Sequence, residues 1–210
     1  MKYDILQTLN YHTNGVYKII ELKNKNLVSC SNDSSIIFYI KDNNEYKKDY
    51  QIQTDGYCTS IIQTKDNELC YSEENNNKIC FYDLFERKII SSIKDISKAN
   101  GIETFIMIRK DLLLIPGKNE LSIIDINEYK LIRIIDVYNY GYISGICLLN
   151  QNTLLTGDFS KKIRQWRIRG DNLFLIATKE NAHNEWITKL LKIGDGHIAS
   201  CSIDNIIKIW

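Results

Sequence analysis

The strongest constraint on this chain is an internal repeat. The segment Leu27–Tyr39 returns near the end as Ile198–Trp210, with thirteen positions aligned and no gap. Weaker copies lie between them, and the last apolar or aromatic position of each copy falls at Tyr39, Tyr82, Ile124, Trp166 and Trp210, in steps of 43, 42, 42 and 44 residues. A period of this size indicates stacked repeats, because one such unit cannot bury its hydrophobic face alone.

Each copy reads as short β-strands separated by polar turns. First strands are predicted at 16–21, 58–63, 143–148 and 187–192, each starting eleven residues before the second strand of its copy. No stretch carries a 3.6-residue apolar stripe, so we expect almost no helix. We predict an all-β propeller in one domain, 1–210, with repeats at approximately 11–54, 55–97, 98–138, 139–182 and 183–210 plus 4–10.

Composition narrows the function classes. The chain has 210 residues, 44% hydrophobic, with 27 basic against 26 acidic side chains, which disfavours a nucleic-acid partner. The six cysteines form no C-x-x-C pair and read as buried thiols of a reducing compartment. No apolar run is long enough for a signal peptide or a membrane helix, so we expect a cytoplasmic protein, with the nucleus as the alternative. We also expect no cofactor.

At this point the chain resembles the WD-repeat β-propeller family, over essentially its whole length. The family's repeats run about 40 to 45 residues, with Gly-His near the start and Trp-Asp at the end. His12 with Asp33 and His183 with Asp204 carry this signature, each pair 21 residues apart. The chain departs from it at Tyr11 and Ala182, where Gly is usual, at Lys118, where Asp is usual, and at Asp83 and Asp125, which follow residues other than Trp.

The resemblance implies a structural hydrogen-bond network in two of the repeats. In it Asp holds His, His holds a Ser hydroxyl, and Ser bonds the aromatic residue at the end of the repeat. The residues concerned are His12, Ser29, Asp33 and Tyr39, and again His183, Ser200, Asp204 and Trp210. The same residue types make a hydrolase triad, but two copies at matching positions favour structure over catalysis. The remaining histidine, His197, reads as a solvated turn residue, so no metal site is expected.

Five basic residues cluster in the fourth repeat: Lys161, Lys162, Arg164, Arg167 and Arg169. One interpretation is a solvent-facing strand whose charges discourage edge pairing. The other is a site for an acidic or phosphorylated peptide, or for a phosphoinositide, which would allow peripheral membrane binding. The lipid-binding propeller families use adjacent arginines followed by Gly, whereas Ile168 separates these two.

One aligned position favours protein binding. It holds Gly15, Tyr57, Tyr142 and Trp186 just before the first strand of four repeats, and Phe159 is a further candidate. The resemblance places this position on the narrow face near the central channel, where partners commonly bind. We therefore predict a non-catalytic protein-interaction scaffold or adaptor. The alternatives are the reader through the basic cluster and a glycan-active enzyme, which would need two carboxylates about 5 to 9 Å apart.

The two ends of the chain suggest how the propeller closes. Trp210 ends the third strand of the fifth repeat, while residues 4–10 look like an outer strand with no repeat before them. By resemblance, we expect residues 4–10 to pair with the strand ending at Trp210. The alternative is an open arc, or a fragment of a seven-bladed ring.

Overall fold

A computed structural model describes residues 4–96, 104–117, 119–137, 141–194 and 196–210. Within these ranges the regular structure is β-strand apart from one 3₁₀ turn, Glu74–Asn76. The chain forms two compact units, residues 1–94 and 95–210. The prediction of an all-β protein with almost no helix is confirmed for the described residues.

The first unit contains two antiparallel sheets of four strands, each following the order of the chain. The strands of the first sheet are β1 (Val16–Glu21), β2 (Leu27–Ser31), β3 (Ser35–Asp42) and β4 (Glu45–Gln53). Those of the second sheet are β5 (Ile61–Lys65), β6 (Glu68–Glu73), β7 (Lys78–Asp83) and β8 (Lys88–Ile93).

The second unit contains three antiparallel sheets with the same connectivity. The third sheet is β9 (Ile106–Arg109), β10 (Leu112–Pro116), β11 (Glu120–Asp125) and β12 (Lys130–Asp136). The fourth is β13 (Ile143–Asn150), β14 (Thr153–Asp158), β15 (Ile163–Arg169) and β16 (Asn172–Lys179). The fifth has three strands, β17 (Ile187–Lys192), β18 (Ile198–Ser202) and β19 (Ile207–Ile209).

The register shows that the five sheets are the five sequence repeats. The terminal apolar or aromatic residue of each repeat lies opposite the start of its second strand. The pairs are Leu27 with Tyr39, Leu69 with Tyr82, Leu113 with Ile124, Leu154 with Trp166, and Ile198 with Trp210. The spacing in the sequence therefore reports one position in a recurring sheet.

In the first four sheets the second strand is the most buried, and the core lies between neighbouring sheets of each unit. Gly157 lets the fourth and fifth sheets approach closely, since a Cβ there would lie 2.6 Å from Cγ2 of Ile187. All six cysteines are free and five are buried. Burial raises the pKa of Cys80 to about 11 and also raises that of Cys70, so these thiols stay protonated at neutral pH.

The predicted pairing of residues 4–10 with the strand ending at Trp210 is not confirmed. Residues 4–10 form no strand, and β19 pairs only with β18. Gln7 instead binds the first sheet: its side-chain amide donates to the carbonyl of Tyr46 at 2.5 Å and accepts from the Tyr46 amide at 2.8 Å. These bonds occupy the backbone amide and carbonyl of Tyr46 in β4, and residues 4–10 make no ladder.

The first strand of the second sheet also starts later than predicted, at Ile61 instead of Cys58. The amides of Thr59 and Ser60 donate to the hydroxyl of Ser72, at 3.1 and 3.0 Å. A side chain thus replaces a ladder partner over these residues, which delays the strand.

Candidate partner-binding face and its supporting networks

The aligned position ahead of each first strand occupies the same place in four sheets. Its carbonyl accepts a hydrogen bond from the amide of the residue 17 positions later, in the turn after the second strand. The bonds are Gly15 with Asn32 at 2.9 Å, Tyr57 with Glu74 at 3.1 Å, Tyr142 with Phe159 at 3.0 Å, and Trp186 with Ile203 at 3.1 Å. The repeat alignment therefore identifies equivalent backbone positions.

In the second unit this geometry produces a row of three aromatic side chains. The rings of Phe159 and Trp186 are stacked, with centroids 4.3 Å apart and 4° between their planes. Tyr142 continues the row, its ring 5.5 Å from that of Phe159. Trp186 is 46% exposed, while the other two rings are half-buried. We call Tyr142, Phe159 and Trp186 the aromatic row.

Tyr57 was also predicted to bind a partner, but it lies in the first unit, where its side chain is half-buried. The sequence prediction missed two features beside the aromatic row. Ile203, 51% exposed, is the counterpart of Phe159 in the fifth sheet, 44 residues later, so the repeat alignment could have found it. Lys161 donates to the carbonyl of Asn184 at 2.5 Å and lies 3.4 Å from the carboxylate of Glu185, which adds a polar rim.

The fifth sheet contains the His-Ser-Asp network that the resemblance implies. His183 Nδ1 lies 2.9 Å from Asp204 Oδ2, and its Nε2 lies 2.7 Å from the Ser200 hydroxyl. Trp210 Nε1 donates to the same hydroxyl at 2.9 Å, and the amide of Asn184 donates to Asp204 at 2.9 Å.

The first sheet contains the equivalent set with a tyrosine at its end. His12 lies 2.9 Å from Asp33 and 2.7 Å from the Ser29 hydroxyl, which is 3.0 Å from the hydroxyl of Tyr39. The Ser29 hydroxyl is thus held between two partners, in a residue only 2% exposed. A hydroxyl confined in this way has no open side for a substrate, so the arrangement suits a structural role.

Both aspartates are held in the ionised form. Burial by itself would raise the pKa of Asp33, but hydrogen bonds from Ser35, the Thr13 amide and His12 outweigh it and hold that pKa well below the usual range. For Asp204, burial likewise raises the pKa, while the Asn184 amide and His183 lower it to about 2. The carboxylates therefore fix the histidine rings across the whole physiological pH range.

The fourth sheet uses different chemistry in the same region. Asp158 and Arg164 form an ion pair in which both side chains are buried, and the Ser160 hydroxyl donates to Asp158 at 2.5 Å. The hydrogen bond of the terminal tryptophan is the same as in the fifth sheet: Trp166 Nε1 donates to the Thr156 hydroxyl at 2.9 Å, as Trp210 donates to Ser200. A buried ion pair and a tryptophan bond thus stabilise this sheet.

The interpretation of the basic cluster as one solvent-facing strand is wrong for Arg164, which is 2% exposed. This part of β15 is covered on both faces, so its guanidinium binds Asp158 and cannot reach a ligand. Lys162 pairs with Glu180 at 2.7 Å, and Lys161 belongs to the rim of the aromatic row. Arg167 and Arg169 are exposed, so the five cations do not form one site.

His197 lies exposed in the turn before β18, as predicted. Among the described residues, no three His, Cys, Asp or Glu side chains converge in a way that could hold a metal ion. None of the described helical segments is long and apolar enough to cross a membrane.

Antiparallel sheets of this connectivity, repeated five times, define a β-propeller fold, and comparisons with known proteins agree. The chain is similar to the WD40 β-propeller domain of Doa1, with a TM-score of 0.79 and 15% identity over 99% of this chain and 67% of that one. It is also similar to a chain of the mitotic checkpoint complex, with a TM-score of 0.83 and 13% identity over 98% of this chain and 64% of that one. The chain thus spans about two thirds of these structures.

The family-level comparison points the same way. Residues 175–210 match the model of the WD domain, G-beta repeat. No curated protein sequence matches the chain. The predicted resemblance to the WD-repeat β-propellers is confirmed by the domain match and by the fold.

Proposed function

We propose that this chain is a non-catalytic scaffold or adaptor that binds a protein partner through the aromatic row. WD40 propellers generally act as protein-interaction scaffolds. One of the similar structures is a chain of the mitotic checkpoint complex, which supports the proposal that this chain binds a protein partner.

The exposed indole of Trp186 is the observation that carries the proposal. An aromatic side chain of this size is costly to leave in water, and tryptophan is enriched among residues that dominate binding energy. Its stacking on Phe159 at 4.3 Å holds the ring in one orientation. Little rotamer freedom is then lost on binding, so more of the contact energy appears as affinity.

The surroundings of the aromatic row fit a protein partner. Lys161 and Glu185 supply both signs of charge at its rim, and the Ile203 side chain adds apolar surface. An apolar centre with a mixed polar rim is the usual composition of a protein–protein interface. The hydrolase-triad interpretation is disfavoured, because the serine hydroxyls of both networks are already hydrogen-bonded and buried.

The test compares partners recovered from the native cell with tagged wild-type chain, Trp186→Ala and Phe85→Ala. Phe85 is 80% exposed in a turn of the first unit, so its removal is a matched loss of an exposed aromatic ring. A partner should disappear with Trp186→Ala and remain with Phe85→Ala. For a recovered partner, calorimetry should show binding weakened by about 1 to 2 kcal/mol or more. Equal recovery with all three chains would contradict the proposal.

A further inference from the structure

The outer strand of the fourth sheet carries an uncovered apolar stretch. Phe174, Leu175 and Ile176 are consecutive residues of β16, and they are 48%, 43% and 44% exposed. In the described chain, β16 pairs with β15 on one side and with no strand on the other. An exposed apolar edge strand is a template for an added strand unless charge or cover protects it.

Two arginines lie beside this stretch. Arg167 pairs with Phe174 across the two strands, and Arg169 pairs with Asn172. Together with Phe174, Leu175 and Ile176 they line an open cleft of about 310 Å³. Within the described residues, neither guanidinium takes part in an ion pair, in contrast to Lys161, Lys162 and Arg164 of the same cluster.

The hairpin that presents the cleft is fixed in place. Arg133 of β12 donates to the carbonyl of Asp171 at 3.0 Å and to its carboxylate at 3.0 Å, in the turn before β16. On the other side of β15, Trp166 and Ile168 are buried in the core. The two arginines therefore project from a strand whose position is set by packing.

We propose that β16 is a second docking surface, which binds an extended acidic and apolar segment of a partner protein by strand addition. An added strand would pair with the free edge of β16, and apolar side chains would cover Phe174 and Ile176. Residues two apart on a strand lie on one face, separated by about 6.6 to 6.8 Å. Carboxylates two residues apart on the partner would thus match the spacing of Arg167 and Arg169, with charge-assisted hydrogen bonds.

A membrane fits this surface less well than a peptide does. Three of the five cations of the cluster are engaged inside the protein, which leaves only two for an anionic surface. An apolar strand edge with free backbone groups has a specific complement in another strand, whereas lipid offers no backbone partner. The docking surface shares no residue with the aromatic row, so this inference is independent of the proposed function.

The experiment measures fluorescence anisotropy of a labelled peptide with alternating glutamate and valine against the full chain. Two further peptides test the chemistry: one with lysine in place of glutamate, and one with N-methyl groups on alternate residues, which removes strand hydrogen bonds. The variants are Arg167→Glu with Arg169→Glu, and the control Lys189→Glu with Lys192→Glu. Both control lysines are exposed on β17 and give the same change in net charge.

The acidic peptide should bind the wild type and the control equally, and the arginine variant at least about ten-fold more weakly. The lysine peptide and the N-methyl peptide should bind the wild type at least as weakly as the acidic peptide binds the arginine variant. Equal binding of the acidic peptide to all chains would overturn the proposal, as would unchanged binding of the N-methyl peptide. Arginine-dependent flotation with vesicles containing phosphatidylserine, without peptide binding, would overturn it in favour of a lipid surface. Trp186→Ala should leave the peptide affinity unchanged, which separates this result from the test of the aromatic row.

Discussion

Replacing His183 with alanine tests whether the His-Ser-Asp network holds the fifth sheet together. The imidazole is fully buried and makes two hydrogen bonds, at 2.9 Å to Asp204 and 2.7 Å to Ser200. A neutral hydrogen bond contributes about 1 kcal/mol to stability, and one to a charged group about 1.5 to 3 kcal/mol. Asp204 and Ser200 keep other partners in the variant, in Asn184 and Trp210, so no buried polar atom is left wholly unpaired.

The expected loss of stability is therefore about 3 kcal/mol, to which any cavity adds. For a chain of this size, 1 kcal/mol changes the melting temperature by about 2 to 4 °C, so His183→Ala should lower it by about 6 to 12 °C. The measurement is thermal unfolding followed by circular dichroism at pH 7. His197→Ala is the matched control, because His197 is exposed and uses only its backbone in the turn.

A melting temperature for His183→Ala within about 2 °C of the His197→Ala value would refute the structural reading of the network. If His183→Ala does not fold at all, His183→Gln provides the graded case. Its amide can keep one of the two bonds, so this variant should fold, with a melting temperature below that of the wild type.

Three further outcomes are expected from the structure. The folded-state pKa of Asp204 is lowered from 3.8 to about 2, so its ionised form stabilises the fold above pH 4, and this is lost as the pH falls toward 2. Asp204→Asn should therefore show a smaller fall in its urea unfolding midpoint between pH 4 and pH 2 than the wild type does. Gly157→Ala should destabilise by about 1 to 3 kcal/mol in urea unfolding because its methyl group would clash with the fifth sheet, whereas Gly194→Ala, which meets nothing within 4 Å, should not. Asp158→Ala should cost about 3 to 5 kcal/mol in the same assay, since it leaves Arg164 charged and buried, and Asp158→Leu with Arg164→Met should cost less.

The repeat was enough to predict five sheets, but it did not predict that the fifth has three strands. Strands β1 and β17 begin and end at the predicted residues because their backbone ladders run the full length of the apolar pattern. The delayed start of β5 depends on one hydroxyl, that of Ser72, taking two amides. The apolar alternation of the sequence predicts which residues favour a β-ladder. It does not predict that a side-chain hydroxyl will compete for the backbone amides.

The site was predictable only in part. Repeat alignment placed Tyr142 and Trp186 at equivalent positions, but their link through Phe159 depends on how two neighbouring sheets pack. Arg164 shows the opposite failure. Charge alone suggested a solvent-facing residue, whereas the Arg164 side chain is buried in an ion pair with Asp158, six residues earlier. Contacts that recur in the repeats, such as the His-Ser-Asp network, could be inferred from the sequence. Contacts outside that recurring pattern, such as the ion pair of Arg164, could not.

The placement of the three tryptophans allows the unfolding of one unit to be followed by intrinsic fluorescence. Trp166 is buried with its indole bonded to Thr156, Trp210 is bonded to Ser200 at the sheet edge, and Trp186 is stacked and exposed. All three belong to residues 95–210, while tyrosines occur in both units. Tryptophan emission therefore follows the unfolding of the second unit alone, whereas circular dichroism follows the strands of both. Superimposed transitions would mean that the two units unfold as one cooperative body, and separated ones would give each unit its own stability.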